Sequence, residues 1–175
     1  VLDNPLNETP LPRLSREGMV KFIEDDLKFA ADNLPYPKDT EYGKFSKGLA
    51  NMLLIRLYLH ETPEDQSYYN KVETIAREMM TADYGYAMVD DYPSLFELAG
   101  QSKCTSEYIY VVPCAIDGPS QNQWHMMAMP PDIDGLIQGW ATVQSTWYFY
   151  DSFEPNDTRK TYLLPEYTTG DGEIR

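Results

Sequence analysis

The chain has 175 residues with 14 basic and 28 acidic side chains, a formal net charge of −14, which argues against non-specific binding to nucleic acid and against docking on anionic lipid through a basic face. Hydrophobic residues make up 42% of it, and 14 Tyr, 6 Phe and 3 Trp give more aromatic surface than a plain helical repeat needs; the length suits one domain with a sizeable core. No apolar run of about 18 residues occurs, and the opening VLDNPLNETPLPRLS has neither the basic nor the apolar region of a signal peptide.

In chain order, Pro5, Pro10 and Pro12 mark an extended lead-in. Ser15 stands where a helix cap belongs, and Met19, Phe22, Ile23, Leu27, Ala30, Ala31 and Leu34 follow helical spacing, so an amphipathic helix is expected over about 16–33, stopped by Pro35 and Pro37. After a connector containing Gly43, the stretch Ser46–His60, SKGLANMLLIRLYLH, is apolar on almost every side. Such a helix needs cover from several neighbours and is read as the most buried element, with Leu49, Leu53 and Leu57 in the core. Arg56, set among Leu53, Leu54, Ile55, Leu57 and Tyr58, is expected either to reach the surface along its stem or to pair, and a carboxylate or several backbone carbonyls within hydrogen-bond distance is the expectation taken. A third amphipathic helix follows over about 66–82, and the short acidic turn before it implies antiparallel packing. The sequence thus divides into a helical core at 16–82 and an irregular region at 83–175 of a single domain.

Beyond Tyr84 the period changes. Glu107–Val112, EYIYVV, reads as a strand ended by Pro113. Residues 115–146 hold no lasting period, which suggests a long functional loop region or a segment whose partner is missing. An aromatic helix or turn follows in WYFYDSFEPNDTRK, and TTGDGEIR offers no closing element. In the FEPNDTRK stretch Asp157 is expected to accept backbone N–H groups and Arg159 to bridge to another acid or a carbonyl, both in structural roles.

Candidate chemistry is sparse. Cys104 and Cys114 flank the expected strand without a CxxC or a neighbouring His; a disulfide stays open, although an extended strand would hold the sulfurs apart. Acidic clusters at Asp25–Asp26, Asp90–Asp91 and Asp132–Asp134 lack the twelve-residue loop of a calcium site, so no metal or cofactor is expected. No nucleophile elbow, zinc-protease or phosphate-loop motif is present. A carboxylate pair such as Asp132 with Asp134, or Asp151 with Asp157, leaves a glycoside hydrolase as a remote alternative.

Sugars offer C–H faces to aromatic rings and hydroxyls to amides. Trp124, flanked by Asn122, Gln123 and His125, has that composition, and Trp140 is a further candidate; Trp147, in an aromatic run with Phe149, is read as core.

The succession LSREGMVKFIEDDLKFAADNLP, EYGKFSKGLANMLLIRLYLH, YGYAMVDDYPSLFE, SEYIYVV and FYDSFEPNDTRK resembles the middle of a SusD/RagB-type protein, the nutrient-binding lipoproteins of the Bacteroidetes outer membrane. The likeness covers most of residues 11–162, and its landmarks are loose singly but fall in family order. It implies a mainly α fold of tetratricopeptide-like helix pairs, an α-α superhelix with irregular insertions and a few short strands. It also implies non-catalytic capture of glycans or other nutrients at the cell surface, delivery to a TonB-dependent transporter, and membrane association only through a lipid anchor this chain does not carry. On that likeness the chain is expected to be a central segment of a longer protein. A helical-repeat module that binds only another protein is the alternative reading.

Overall fold

The computed structural model describes residues 12–97, 106–114, 122–135 and 139–175. The chain forms two compact units, Val1–Val112 and Pro113–Arg175. The architecture is mainly α, with several helices packed on one another.

Three helices build the first unit. Helix α1, Arg16–Asn33, starts where Ser15 Oγ accepts the Gly18 N–H at 3.1 Å and ends at Leu34, the residue before Pro35. Helix α2, Lys47–Glu61, starts at Ser46, whose Oγ accepts the Leu49 N–H at 3.3 Å. Helix α3, Tyr68–Met79, follows a turn in which Asp65 Oδ1 accepts the Ser67 N–H at 2.8 Å. Their directions are fixed by contacts at both ends. Arg16, at the start of α1, pairs with Glu61 at the end of α2 at 3.2 Å, and the Lys47 N–H at the start of α2 bonds the Pro35 carbonyl just past α1. Tyr58 meets Tyr68 at 5.5 Å between ring centroids, while Lys47 lies 3.7 Å from Glu78. The three helices therefore alternate in direction, and α2 packs against both others.

The expected three helices are present, but the core does not run along Leu49, Leu53 and Leu57. It runs along Ala50, Leu54 and Tyr58, one helical face at successive fourth residues, joined by Ala31 of α1, Met79 at the end of α3 and Tyr84 beyond it. Leu54 is 2% exposed and Leu53 38%, while Leu49 and Leu57 are half-buried. Small residues decide the face: Gly48 and Ala50 admit close neighbours, and buried Asn51 donates to the Tyr84 hydroxyl at 2.6 Å. For Arg56 the pairing fails and the other alternative, a stem that reaches the surface, is what the structure has. Its side chain is exposed, and among the described residues it has no ion pair or hydrogen-bonded carboxylate, because it sits on the side of α2 turned away from both α1 and α3.

The expected strand at 107–112 is irregular backbone. A strand needs a partner edge, and this stretch is tied instead by scattered bonds: Ala87 N–H to the Ser106 carbonyl, Val89 N–H to Glu107 Oε2 and Tyr108 hydroxyl to the Leu95 carbonyl. Among the described residues, β-pairing is limited to isolated bridges at Ile133–Thr169 and Thr168–Ile174.

The second unit is built from short elements. Helix α4, Trp124–Ala128, lies within the stretch read as a loop, and α5, Trp147–Asp151, is capped by Thr146 Oγ1 accepting the Phe149 N–H. Residues 167–175 turn back on themselves: Tyr167 and Arg175 exchange both backbone hydrogen bonds, at 2.8 and 3.0 Å, around a turn with Gly172 at φ 86°. TTGDGEIR thus lies in a small hairpin, which Asp132 anchors by accepting from the Tyr167 hydroxyl at 2.9 Å and pairing with Arg175. Cys104, and with it any bridge to Cys114, lies outside the described residues.

Candidate ligand cleft

The connector between α1 and α2 is held at three points. Pro37–Asp39 forms a single 3-10 turn, the Thr40 hydroxyl donates to the Tyr36 carbonyl at 2.8 Å, and the Lys44 N–H closes a turn onto Glu41. Gly43, at φ 78°, supplies the left-handed backbone this last turn requires. Across from it run Tyr84–Tyr86, with Gly85 at φ 71°, and the irregular stretch 106–111.

Between these segments lies a cleft of about 450 Å³, within the range of small-molecule sites. Five of the chain's 14 tyrosines line it, Tyr42, Tyr84, Tyr86, Tyr108 and Tyr110, a concentration that makes its walls aromatic with hydroxyl edges. Tyr84 is a fixed wall. It is fully buried, packs edge-on against Tyr36 at 5.2 Å, receives the Asn51 amide and donates to Glu78 Oε1 at 2.6 Å. Burial, reinforced by the Glu78 carboxylate, pushes its hydroxyl pKa up and keeps it protonated. Tyr86 is set beside Gly48: a Cβ there would stand 2.0 Å from the Tyr86 hydroxyl and 2.8 Å from Pro37 Cγ. The outer rings are freer. Tyr42 and Tyr110 are exposed, and Tyr110 leans on exposed Phe45 at 5.6 Å. The charged groups at the rim are Lys38, Glu41 and Lys44.

The sequence pointed elsewhere, to the tryptophans of the second unit. Trp124 is 61% exposed at the start of α4, and Asn122 Oδ1 accepts its N–H at 3.0 Å, so that amide is partly engaged by backbone. Gln123 precedes it, exposed. The structure does bring Trp140 to the same element. Residues 139–143 cross the end of α4, where the Trp140 N–H donates to the Met126 carbonyl at 2.6 Å and those of Ala141 and Thr142 to Met129 and Met127. Gly139 permits this crossing, since a Cβ would lie 2.0 Å from the Met129 carbonyl oxygen. Trp147, read as core, is instead 65% exposed, its ring held edge-on by Tyr150 at 5.6 Å; a five-residue helix is too short to bury both sides of an indole.

Asp157 and Arg159 form the expected turn. Asp157 Oδ1 accepts the Arg159 N–H at 3.0 Å and its Nε at 2.8 Å, which holds the carboxyl below the usual range. The Arg159 guanidinium thus pairs with Asp157, whereas the sequence reading looked for another acid or a carbonyl. Asp132 is likewise engaged, by Arg175 and Tyr167. Among the described residues no group of three or more His, Cys, Asp or Glu side chains is placed to hold a metal ion, and no helix is long and apolar enough to cross a membrane.

The cleft escaped sequence reading because its walls come from three separated segments, and the tyrosines share no period. The available signal was the count of tyrosines clustered near the two glycines with positive φ, Gly43 and Gly85. Comparison with family models, curated proteins and solved structures finds no match for the chain in any of the three.

Proposed function

We propose that the chain is a non-catalytic capture module for glycans or chemically similar nutrients, and that the tyrosine cleft of the first unit is its binding site. The observation that carries the reading is the cleft itself: five tyrosines line a volume suited to one or two sugar rings, with Tyr42 and Tyr110 exposed for C–H stacking and Tyr84, Tyr86 and Tyr108 set in the wall behind them. A fixed inner wall and freer outer rings give the ligand a pre-formed floor and an adjustable entrance. On this reading the alternating helices α1 to α3 are tetratricopeptide-like packing of SusD/RagB type. The full protein then works at the outer-membrane surface, lipid-anchored, handing its ligand to a TonB-dependent transporter. These steps rest on the motif order in the sequence.

Calorimetry against a panel of neutral and acidic oligosaccharides tests the assignment, with a Tyr42→Ala/Tyr110→Ala double variant as control. Binding by the wild type and its loss in a variant with an unchanged melt supports the cleft; equal binding by both overturns it. A second reading, docking of a partner protein, is favoured by the outward side of α2, where Leu53 and Leu59 are exposed beside Arg56. Its signature is a transporter or other protein partner lost on Leu59→Asp while saccharide binding persists.

A further inference from the structure

The rim of the cleft reverses the charge balance of the chain. Overall, acids outnumber bases two to one, 28 against 14, whereas the charged residues lining the cleft are two lysines and one glutamate. The two lysines differ in their engagement. Lys38 lies 3.7 Å from Asp83, and the nearby Lys47 is committed to Glu78 at 3.7 Å and to the face of Tyr36 at 5.1 Å. Lys44 has no ion pair among the described residues. Its side chain is exposed, while its backbone N–H closes the Glu41–Lys44 turn around Gly43 and so fixes where that side chain leaves the main chain. It follows Tyr42 by two residues and precedes Phe45, the residue whose ring meets Tyr110.

An exposed ammonium without an ion pair among the described residues, on a residue that lines an aromatic cleft in a chain of net charge −14, is suited to take a carboxylate carried by a ring that stacks there. We propose that Lys44 makes the cleft selective for saccharides containing a uronic acid. The inference rests on the capture reading above and deepens it. The same geometry disfavours long polyanions, since the remaining surface repels them; the expected ligand is a short acidic oligosaccharide or an isolated uronate within a neutral one.

The test uses matched pairs: trimers of galacturonate and of glucuronate, each as free acid and as methyl ester, so that the carboxylate charges are removed within a pair while the sugar rings and linkages stay the same. The wild type is expected to bind the acid of at least one pair about tenfold more tightly than its ester, as one charge-assisted hydrogen bond allows. Lys44→Gln should bring acid and ester within about twofold without moving the melt, and Lys44→Arg should keep the preference. Ester binding as tight as the acid in the wild type overturns the Lys44 assignment and leaves the capture reading standing. An acid preference that survives Lys44→Gln also overturns it. If no trimer binds, and none of the neutral panel does, the capture reading itself falls.

Discussion

The Tyr58 hydroxyl donates to Glu24 Oε1 at 2.8 Å, and this bond ties the most buried side chain of α2 to α1. Glu24 also accepts from Lys28 at 2.6 Å and from Lys71 of α3 at 3.4 Å, so one carboxylate joins all three helices. Burial opposes its charge, and the bonds from Lys28 and Tyr58 with the nearby Lys71 outweigh it, lowering the pKa from 4.5 to about 2. A depressed folded-state pKa contributes stability above the unfolded-state value, which is lost as pH falls through the folded one. The wild type should therefore exceed Glu24→Gln by up to about 3 kcal/mol at pH 7, with the gap closing between about pH 4.5 and pH 2. Urea melts of both proteins across that window check it; a gap constant with pH would show the node to be packing alone.

Gly48 is the position where α2 meets Tyr86 and Pro37. An added methyl would stand 2.0 Å from the Tyr86 hydroxyl, so Gly48→Ala should destabilise by about 1–3 kcal/mol despite the better helix propensity of alanine. The nearest Tyr86 ring carbon would still be 2.9 Å away, and Tyr86→Phe should accordingly recover only part of the loss. Thermal melts of the single and double variants measure the recovery, and full recovery would mean that the hydroxyl alone sets the constraint.

Much of the helical unit was legible because its signals are local. Ser15 and Ser46 cap the helices they precede, Pro35 stops the first, and the stripe of Val72, Ile75 and Met79 gives α3 its inward side. The buried side of α2 was not legible, for a physical reason: a helix apolar all round has no wet stripe to orient it, and small residues such as Gly48 and Ala50 set the contact. The stretch EYIYVV has the composition of a strand, yet a strand exists only with a partner, which composition cannot supply. The cleft needs the same long-range information, since Tyr42, Tyr84 and Tyr110 meet only after folding.

That difference can be measured on α2 itself. Leu54→Ala removes a side chain 2% exposed and should cost about 2–5 kcal/mol. Leu53→Ala, at 38% exposure, should cost less than about 1 kcal/mol. Equal losses in denaturant melts would return Leu53 to the core.

In the second unit, Asp157→Ala deletes the carboxylate that caps the 3-10 turn Thr158–Tyr162 and pairs with Arg159. The expected outcome is a melting temperature lower by a few degrees with ligand affinity unchanged. Normal melting with lost binding would move Asp157 from the scaffold to the site.

Trp124 provides the remaining test, because its exposure and its place outside the cleft pull in different directions. At 61% exposure the indole contributes little burial, so Trp124→Ala should leave the melt within about a degree. A flat ring next to the free amide of Gln123 is nonetheless a stacking platform, whose loss corresponds to roughly 0.5–1.5 kcal/mol, or about two- to tenfold in affinity. Tyr42 and Tyr110 belong to Val1–Val112, and Trp124 to Pro113–Arg175. Saccharide binding lost in the tyrosine double variant should therefore be largely retained in Trp124→Ala, with a modest weakening confined to ligands that use the indole. Calorimetry with the same oligosaccharide on both variants separates the contributions. Complete loss on Trp124→Ala with an unchanged melt would transfer the principal site to the tryptophan helix, and early unfolding would show that the indole packs against something that holds the second unit together.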